Sequence, residues 1–130
     1  MKNENLAVME RFKSAVASGD WETIPALMDA DFAMVEPKAL PYGGTYKGAD
    51  GFKSCLQKIK ATLATDALEH KRTYLTDDPD HIVGEFVTRG RVLATGAAYT
   101  SPIFERWDFR NGKVLGISVC WFDIPAFEPR

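Results

Sequence analysis

The chain has 130 residues, a length typical of one domain, and its 45% hydrophobic and 12% aromatic content is enough for one packed core. Its formal net charge is −2, with both signs interspersed, which argues against binding to nucleic acid or an anionic membrane because both require clustered Lys and Arg. Cys55 and Cys120 are too few and too far apart for a disulfide framework or a zinc ribbon. No apolar run opens the chain, so we expect a single domain over residues 1–130, located in the cytoplasm with reduced thiols and without a signal peptide.

Two helices are predicted at the start. Apolar residues recur at spacings of three and four in the first segment, which predicts an amphipathic helix over Leu6, Met9, Phe12 and Val16. Gly19 ends this helix, and Asp20 caps a shorter second one. Pro25 lies inside the second helix, where it predicts a bend or a short first turn, and residues 29–31 end it.

The middle of the chain predicts a strand, a loop and a third helix. Residues 32–36 form the strand, which ends at Pro37. Residues 37–47 carry two prolines, two tyrosines and two glycines, which is typical of a structured loop. After Gly48 the helical spacing returns, at Phe52, Leu56, Ile59 and Leu63.

The second half has the alternation of strands, over residues 68–76, 82–93, 99–109 and 114–124. Asn111-Gly112 predicts a two-residue hairpin between the last two. The last strand is apolar on both faces, so we expect both faces to be covered. This order of elements predicts an α+β domain, in which a curved antiparallel sheet wraps around helices and encloses an interior pocket.

At this point the sequence resembles the cone-shaped NTF2-like superfamily, nearest to its SnoaL-like and ketosteroid-isomerase-like branch. The resemblance covers nearly the whole chain and rests on residues 8–20 (VMERFKSAVASGD), 32–37 (FAMVEP), 40–48 (LPYGGTYKG) and the turn at 111–113. It is specific for the fold and weak for the function, because the superfamily holds isomerases, cyclases, hydrolases, dehydratases and non-enzymatic binding proteins.

The resemblance implies two catalytic carboxyl groups. Glu36, directly before Pro37, matches the general base of the ketosteroid isomerases. Glu105 matches their second acid, which donates a hydrogen bond to the developing enolate. Phe12 stands where those enzymes have a tyrosine hydroxyl; losing such a donor costs about 3–4 kcal/mol of barrier, which argues against steroid isomerase activity.

Each acid also has a structural interpretation. Glu36 could cap backbone amides or pair with Lys38 or Lys47. Alternation places Glu105 on one strand face with Ile103 and Trp107, where it could instead pair with an arginine such as Arg89.

Apolar side chains around these acids are candidates for the pocket wall, although such stripes are more often plain core. The candidates are Phe12, Trp21, Met34, Phe52, Trp107, Ile117, Val119 and Trp121, with Tyr42 and Tyr46 as a lid over the pocket mouth. Cys120 is interpreted as a small buried apolar residue.

Other chemistries have weaker signals. His70 and His81 lie on different elements without a nearby Cys or His partner, so we expect solvent-facing histidines and no metal site. An epoxide-hydrolase-like Asp–Arg–Asp set is the weakest alternative, since Arg89 and Arg91 lack an adjacent aspartate and only Asp123 is near.

The sequence therefore favours a small-molecule pocket protein with carboxylate acid–base chemistry on an apolar carbonyl compound, of isomerase or cyclase type and without a cofactor. A non-catalytic binding domain for a small apolar molecule is the first alternative. A dimerisation module is the second, because Cys120 and Phe122 would make the outer face of the last strand apolar.

Overall fold

The computed structural model describes residues 3–128. Residues 1–2 and 129–130, which the prediction included in the single domain, lie outside that range, and so does part of the segment on which the signal-peptide prediction rests. The helices are α1 (Glu4–Ser18), α2 (Thr23–Leu27) and α3 (Gly48–Thr62). The strands are β1 (Met28–Glu36), β2 (Gly44–Lys47), β3 (Leu63–Leu75), β4 (His81–Val92), β5 (Ala98–Arg110) and β6 (Lys113–Trp121). No helix within 3–128 is both long and apolar enough to cross a membrane.

Helix α1 forms where the sequence predicted it. The Asn3 side chain caps its first turn by accepting a hydrogen bond from the Asn5 amide at 3.0 Å. Its buried residues are Met9, Phe12 and Ala15, which lie three apart and so share one face. That face packs against the sheet and carries the apolar stripe that the sequence shows.

The six strands form one sheet in the order β2-β1-β6-β5-β4-β3. All neighbours are antiparallel except β1 and β6, which run parallel. The predicted hairpin at Asn111-Gly112 is confirmed: Arg110 pairs with Lys113, and both turn residues have positive φ (52° and 75°), as a tight two-residue turn requires. The parallel pair places the first strand of the chain beside the last one, at the middle of the sheet.

The core lies between the helices and the inner face of the sheet, defined here as the face that packs on α1 and α3. Four aromatic rings meet there, with Phe12 5.4 Å from Phe52 and 5.4 Å from Trp107 between ring centroids, and Phe32 5.7 Å from Phe52. A second, smaller cluster joins the loop before β2 to the ends of β3 and β4, and consists of Leu40, Tyr42, Leu63, Val92 and Tyr99. The predicted α+β architecture is thus confirmed.

Two element boundaries differ from the prediction in the first half of the chain. Residues 29–31 extend β1 rather than end a helix, and Arg110 holds this irregular stretch through Asp29 and Asp31, each at 2.6 Å. Residues 44–47, predicted as loop, form the short edge strand β2, because their backbone pairs with the end of β1. Neither feature has a hydrophobic pattern of its own.

Three further predictions were wrong in the second half. Leu63 starts β3 instead of ending α3, and the residues after it are mostly exposed, so alternation did not mark this edge strand. The last strand ends at Trp121, and Phe122 is 74% exposed. Cys120 is exposed rather than buried, because it lies on the outer face of β6.

Candidate active site

Glu36 and Glu105 lie on the inner face of the sheet, on strands separated by β6. Met34 pairs with Ile117, which pairs with Trp107, and all three side chains are buried. Two residues further along, the same register places Glu36, Val119 and Glu105 in the next row. Two strand spacings separate the backbones of the acids by about 10 Å.

Glu36 is a buried acid with an unpartnered oxygen. It is 4% exposed, and its Oε2 atom has no hydrogen-bond partner within residues 3–128. Burial, followed by the charge of Glu105, raises the pKa of Glu36 to about 8. The alternative pairing with Lys38 or Lys47 is absent from the ion pairs of the described chain. No group within residues 3–128 therefore compensates for the burial of Glu36 Oε2.

Glu105 is partly buried and, unlike Glu36, accepts a hydrogen bond from another side chain. Burial raises the pKa of Glu105, while a hydrogen bond from Trp107 Nε1 at 3.1 Å and the charge of Lys13 act in the opposite direction. The alternative partner Arg89 points elsewhere and donates to Glu69 at 2.7 Å. Both contacts favour the charged form of Glu105, whereas no hydrogen bond to Glu36 side-chain oxygens is formed within residues 3–128.

The ten predicted wall residues lie in the core or at its edge. Of the ten, seven are buried: Phe12, Met34, Tyr42, Phe52, Trp107, Ile117 and Val119. Trp21, Tyr46 and Trp121 are partly buried and pack against the main core. The structure thus brings the ten side chains and both acids to one side of the sheet; whether they enclose a pocket stays a prediction.

The loop between β1 and β2 folds back tightly on Glu36. The Gly43 amide donates to the Leu40 carbonyl at 2.8 Å, and the Leu40 amide donates to the Pro37 carbonyl at 3.0 Å. The Tyr46 hydroxyl donates to the Tyr42 carbonyl at 2.7 Å, which fixes the end of the loop. Tyr42 is only 3% exposed, so it packs in the interior and is not an outer lid.

Two grooves lie elsewhere on the surface. One, of about 450 Å³, runs along α1 beside Ser14 and Ser18, and the other, of about 600 Å³, lies between Pro41 and Phe127. Neither Glu36 nor Glu105 lines them. Both acids therefore lie outside these two grooves.

The remaining candidate residues are not assembled into a site. His70 and His81 are exposed, as expected, and His81 bonds Asp108 at 2.6 Å; no three His, Cys, Asp or Glu side chains among residues 3–128 are grouped to hold a metal ion. Arg89 and Arg91 are exposed, with Arg91 donating to the Gly96 carbonyl at 3.1 Å. The arginines thus lie away from the acids, which argues against the epoxide-hydrolase arrangement.

Two residues near the acids were missed by the sequence reasoning. Cys55 on α3 is buried. Burial, followed by the charge of Glu36, raises the pKa of its thiol to about 12. Lys13 on α1 acts on Glu105, and its Nζ lies 2.8 Å from His70 Nδ1. In the sequence, both residues lie next to apolar residues of their helices. Only the tertiary packing shows the direction in which their side chains point.

The SnoaL-like domain family matches residues 9–117 of the sequence. The chain belongs to this family. None of the curated proteins matches it significantly in sequence. The matched segment of this SnoaL-like domain contains Glu36, Glu105 and all the predicted wall residues except Val119 and Trp121.

Solved structures share the fold of this SnoaL-like domain. An NTF2-like protein from Burkholderia xenovorans is 20% identical, with a TM-score of 0.78 over 93% of this chain and 91% of its own. TerC, co-crystallised with polyporic acid, is 21% identical over 91% of each chain, with a TM-score of 0.76. A proposed polyketide cyclase from Xanthomonas campestris is 20% identical over 91% of each chain, with a TM-score of 0.66. At these identities the likeness shows the fold alone.

Proposed function

We propose that this SnoaL-like domain binds a small apolar carbonyl compound and moves a proton on it, in an isomerase- or cyclase-type reaction without a cofactor. The observation that carries the proposal is the row of Glu36, Val119 and Glu105 on an apolar face, with one acid unpartnered and the pKa of both raised. Titratable groups shifted towards neutral pH and surrounded by apolar side chains are typical of proton-transfer sites.

The reaction needs one charged and one neutral carboxyl group. The charged carboxylate takes a proton from the carbon next to the carbonyl, and the C–H electron pair forms the C=C bond of an enolate. The neutral carboxyl donates a hydrogen bond to the enolate oxygen, whose charge it stabilises. Return of the proton to another carbon gives the isomer, and attack by the enolate carbon on a second carbonyl gives a ring. The family resemblance assigns the base to Glu36 and the donor to Glu105.

The test follows exchange of the acetyl protons of 2-acetylnaphthalene for deuterium in heavy water, by NMR. We expect wild-type protein to accelerate exchange, and Glu36→Gln and Glu105→Gln each to slow it at least about 100-fold while the ketone still binds. Glu85→Gln is the matched control, because Glu85 lies on the same sheet but bonds the exposed Tyr74. Unchanged exchange in both acid variants would overturn the proposal.

A non-catalytic binding domain is the second candidate. Phe12 lies in the wall without a hydroxyl to donate, which favours it. TerC, with the same fold, was crystallised with a small acid, and a similar molecule could occupy the apolar face here. Retention of a ligand that neither the wild type nor Glu36→Gln ever converts would support this candidate over the enzyme.

We further propose a homodimer formed through the outer face of the sheet. Val35 on that face is 39% exposed, Cys120 is exposed two residues beyond its β6 partner Ser118, and Phe122 follows at 74%. Sedimentation velocity at increasing concentration tests this, with Phe122→Ser expected to shift the equilibrium towards monomer. A wild type that stays monomeric at high concentration would contradict it.

The two free thiols agree with a cytoplasmic location, which cell fractionation would check.

A further inference from the structure

Lys13 of α1 contacts a histidine ring nitrogen. Its Nζ atom lies 2.8 Å from Nδ1 of His70, whereas the carboxylate of Glu10 lies farther away, at 3.4 Å. The Lys13 side chain is 24% exposed, so the amine is held in place and still open to solvent. A nucleophile in hydrogen-bond contact with a base is the arrangement from which covalent catalysis starts.

The surrounding contacts define the tautomer of His70. A lysine ammonium group only donates hydrogen bonds, so Nδ1 of His70 is the acceptor and carries no proton. The proton of the neutral ring then lies on Nε2, which faces the Arg72 carbonyl at 3.1 Å and the Thr73 hydroxyl at 2.9 Å. These contacts direct the lone pair of Nδ1 at the Lys13 amine. His70 is therefore oriented as a base by a third group.

Packing on the sheet holds the two side chains together. The His70 ring stacks on Phe86, with 4.8 Å between centroids and 22° between planes. The Lys13 amine lies 5.5 Å from the centroid of the same Phe86 ring. His70 pairs with Phe86 in the β3–β4 ladder, while Lys13 reaches the ring from α1. The buried Phe86 thus fixes the amine and the imidazole against each other from two separate elements.

This group lies one row away from the two acids of the candidate active site. Phe86 pairs with Ile103, and two residues earlier Gly84 pairs with Glu105. A Cβ added to Gly84 would lie 2.7 Å from the Phe86 ring and 3.2 Å from Met9 of α1, so the ring and the helix both cover that position. The amine over the Phe86 ring is therefore beside the acid row but not part of it.

We propose that Lys13 is a nucleophile that forms an imine with an aldehyde, with His70 as its base. Nδ1 of His70 takes a proton from the Lys13 ammonium group, and the lone pair of the neutral amine attacks the carbonyl carbon. The C=O bond opens, and a proton moves from nitrogen to oxygen to give a carbinolamine. The imidazolium returns its proton to the new hydroxyl group, which leaves as water, and a protonated C=N double bond remains. This inference goes beyond the proposed function, because the reaction requires neither Glu36 nor Glu105.

The surroundings of Lys13 also define the aldehyde. His70 is exposed on the edge strand β3, with one face of its ring on Phe86. An aromatic aldehyde can therefore reach the amine from solvent and place its flat body along the imidazole. Glu10, the anionic group bonded to Lys13, is 54% exposed and holds the ammonium group only weakly. The ligand class is thus a flat apolar aldehyde.

The test traps the imine with naphthalene-2-carbaldehyde and sodium cyanoborohydride, followed by mass spectrometry of proteolytic peptides. Reduction converts the imine to a stable secondary amine, so each labelled lysine can be identified. Lys53 and Lys58 are internal controls, because their amines also lie over aromatic rings, at 5.3 Å and 5.1 Å from the centroids, and bond to no histidine within residues 3–128. We expect Lys13 to be labelled at least about tenfold faster than either control.

Two histidine variants test the base. His70→Asn places an amide oxygen near the position of Nδ1, where it accepts a hydrogen bond but takes no proton, so labelling of Lys13 should fall to the rate of the control lysines. His81→Asn is the matched control, because His81 bonds Asp108 instead of a lysine, and labelling should be unchanged. Thermal unfolding checks that both variants are folded.

The outcomes separate this inference from the proposed function. Naphthalene-2-carbaldehyde has no hydrogen on the carbon next to its carbonyl group, so enolate chemistry at Glu36 does not act on it. Preferential labelling of Lys13 that depends on His70 supports the inference, even if deuterium exchange of 2-acetylnaphthalene is absent. Labelling of Lys13 no faster than that of the control lysines, or equally fast in His70→Asn, overturns it, even if exchange depends on Glu36.

Discussion

Glu36 and Glu105 lie in one row of the sheet, on the same inner face, with only Val119 of β6 between them. The parallel pairing of β1 with β6 creates this relationship, because it brings the end of the first strand level with the middle of β5. Neither acid forms an ion pair within residues 3–128, and the charge of Glu105 adds to burial in raising the pKa of Glu36. The pair therefore holds a proton near neutral pH.

The first prediction concerns stability and pH. Burial raises the pKa of Glu36 to about 8 in the folded protein from an ordinary value of 4.5, so between these pH values the folded state binds more protons than the unfolded state. The free energy of unfolding must then fall as pH rises from about 4.5 to about 8, by roughly 1.4 kcal/mol for each unit of pKa shift. Thermal melts of wild type and Glu36→Gln across this range test it. The variant should show a flatter dependence, and equal slopes in the two proteins would contradict the burial of Glu36.

The second prediction is the pH dependence of catalysed proton exchange. If Glu36 is the base, the rate rises with pH until Glu36 has lost its proton near pH 8. Because Glu105 must keep its proton to donate to the enolate, the rate should fall again once Glu105 ionises, which gives a bell-shaped profile. Initial rates with 2-acetylnaphthalene, corrected for the uncatalysed reaction, provide the measurement. A rate that instead falls steadily as pH rises towards 8 would contradict the assignment of the base to Glu36.

The third prediction is for Phe12→Tyr. Phe12 is 1% exposed and meets the rings of Phe32, Phe52 and Trp107, so an added hydroxyl enters an apolar contact. We expect a loss of about 1–3 kcal/mol of unfolding free energy and no gain in exchange rate. Chemical denaturation and the exchange assay check the two parts. A faster variant would show that a hydroxyl group at this position of α1 is what the site lacks.

The fourth prediction concerns the loop that positions Tyr42. Gly43→Ala places a methyl group 2.3 Å from the Pro37 carbonyl oxygen, so the loop must move away from Glu36. We expect about 1–3 kcal/mol of destabilisation together with slower catalysed deuterium exchange. Gly96→Ala is the control: it has positive φ but no atom within 4 Å of an added Cβ, so it should lower stability without altering the exchange rate. Normal exchange in Gly43→Ala would show that the loop does not contribute to the site.

Much of the fold could be predicted because local signals agree with it. The apolar stripe of α1, the Asn111-Gly112 turn and the alternation of β4 and β5 each specify an element without reference to the rest of the chain. The elements that escaped prediction, β2 and the start of β3, lie at the two edges of the sheet. Edge strands bury few side chains, so their pattern is weak, and backbone pairing decides their structure.

The site was predicted less completely. The positions of Glu36 and Glu105 came from family resemblance, and strand alternation placed Glu105 with Ile103 and Trp107, as the structure shows. The sequence could not show that Tyr42 is buried, since that depends on the tight loop around Gly43. Nor could it show that Cys120 faces outward, because β6 is apolar on both faces.

Infrared spectroscopy in heavy water tests the central claim most directly, because the C=O stretch of a protonated carboxyl group is distinct from that of a carboxylate. At pH 7 the wild type should show a buried protonated carboxyl band that disappears as pH rises past about 8 and is missing from Glu36→Gln. Absence of such a band at pH 7, or its persistence in Glu36→Gln, would contradict a proton held on Glu36 opposite Glu105.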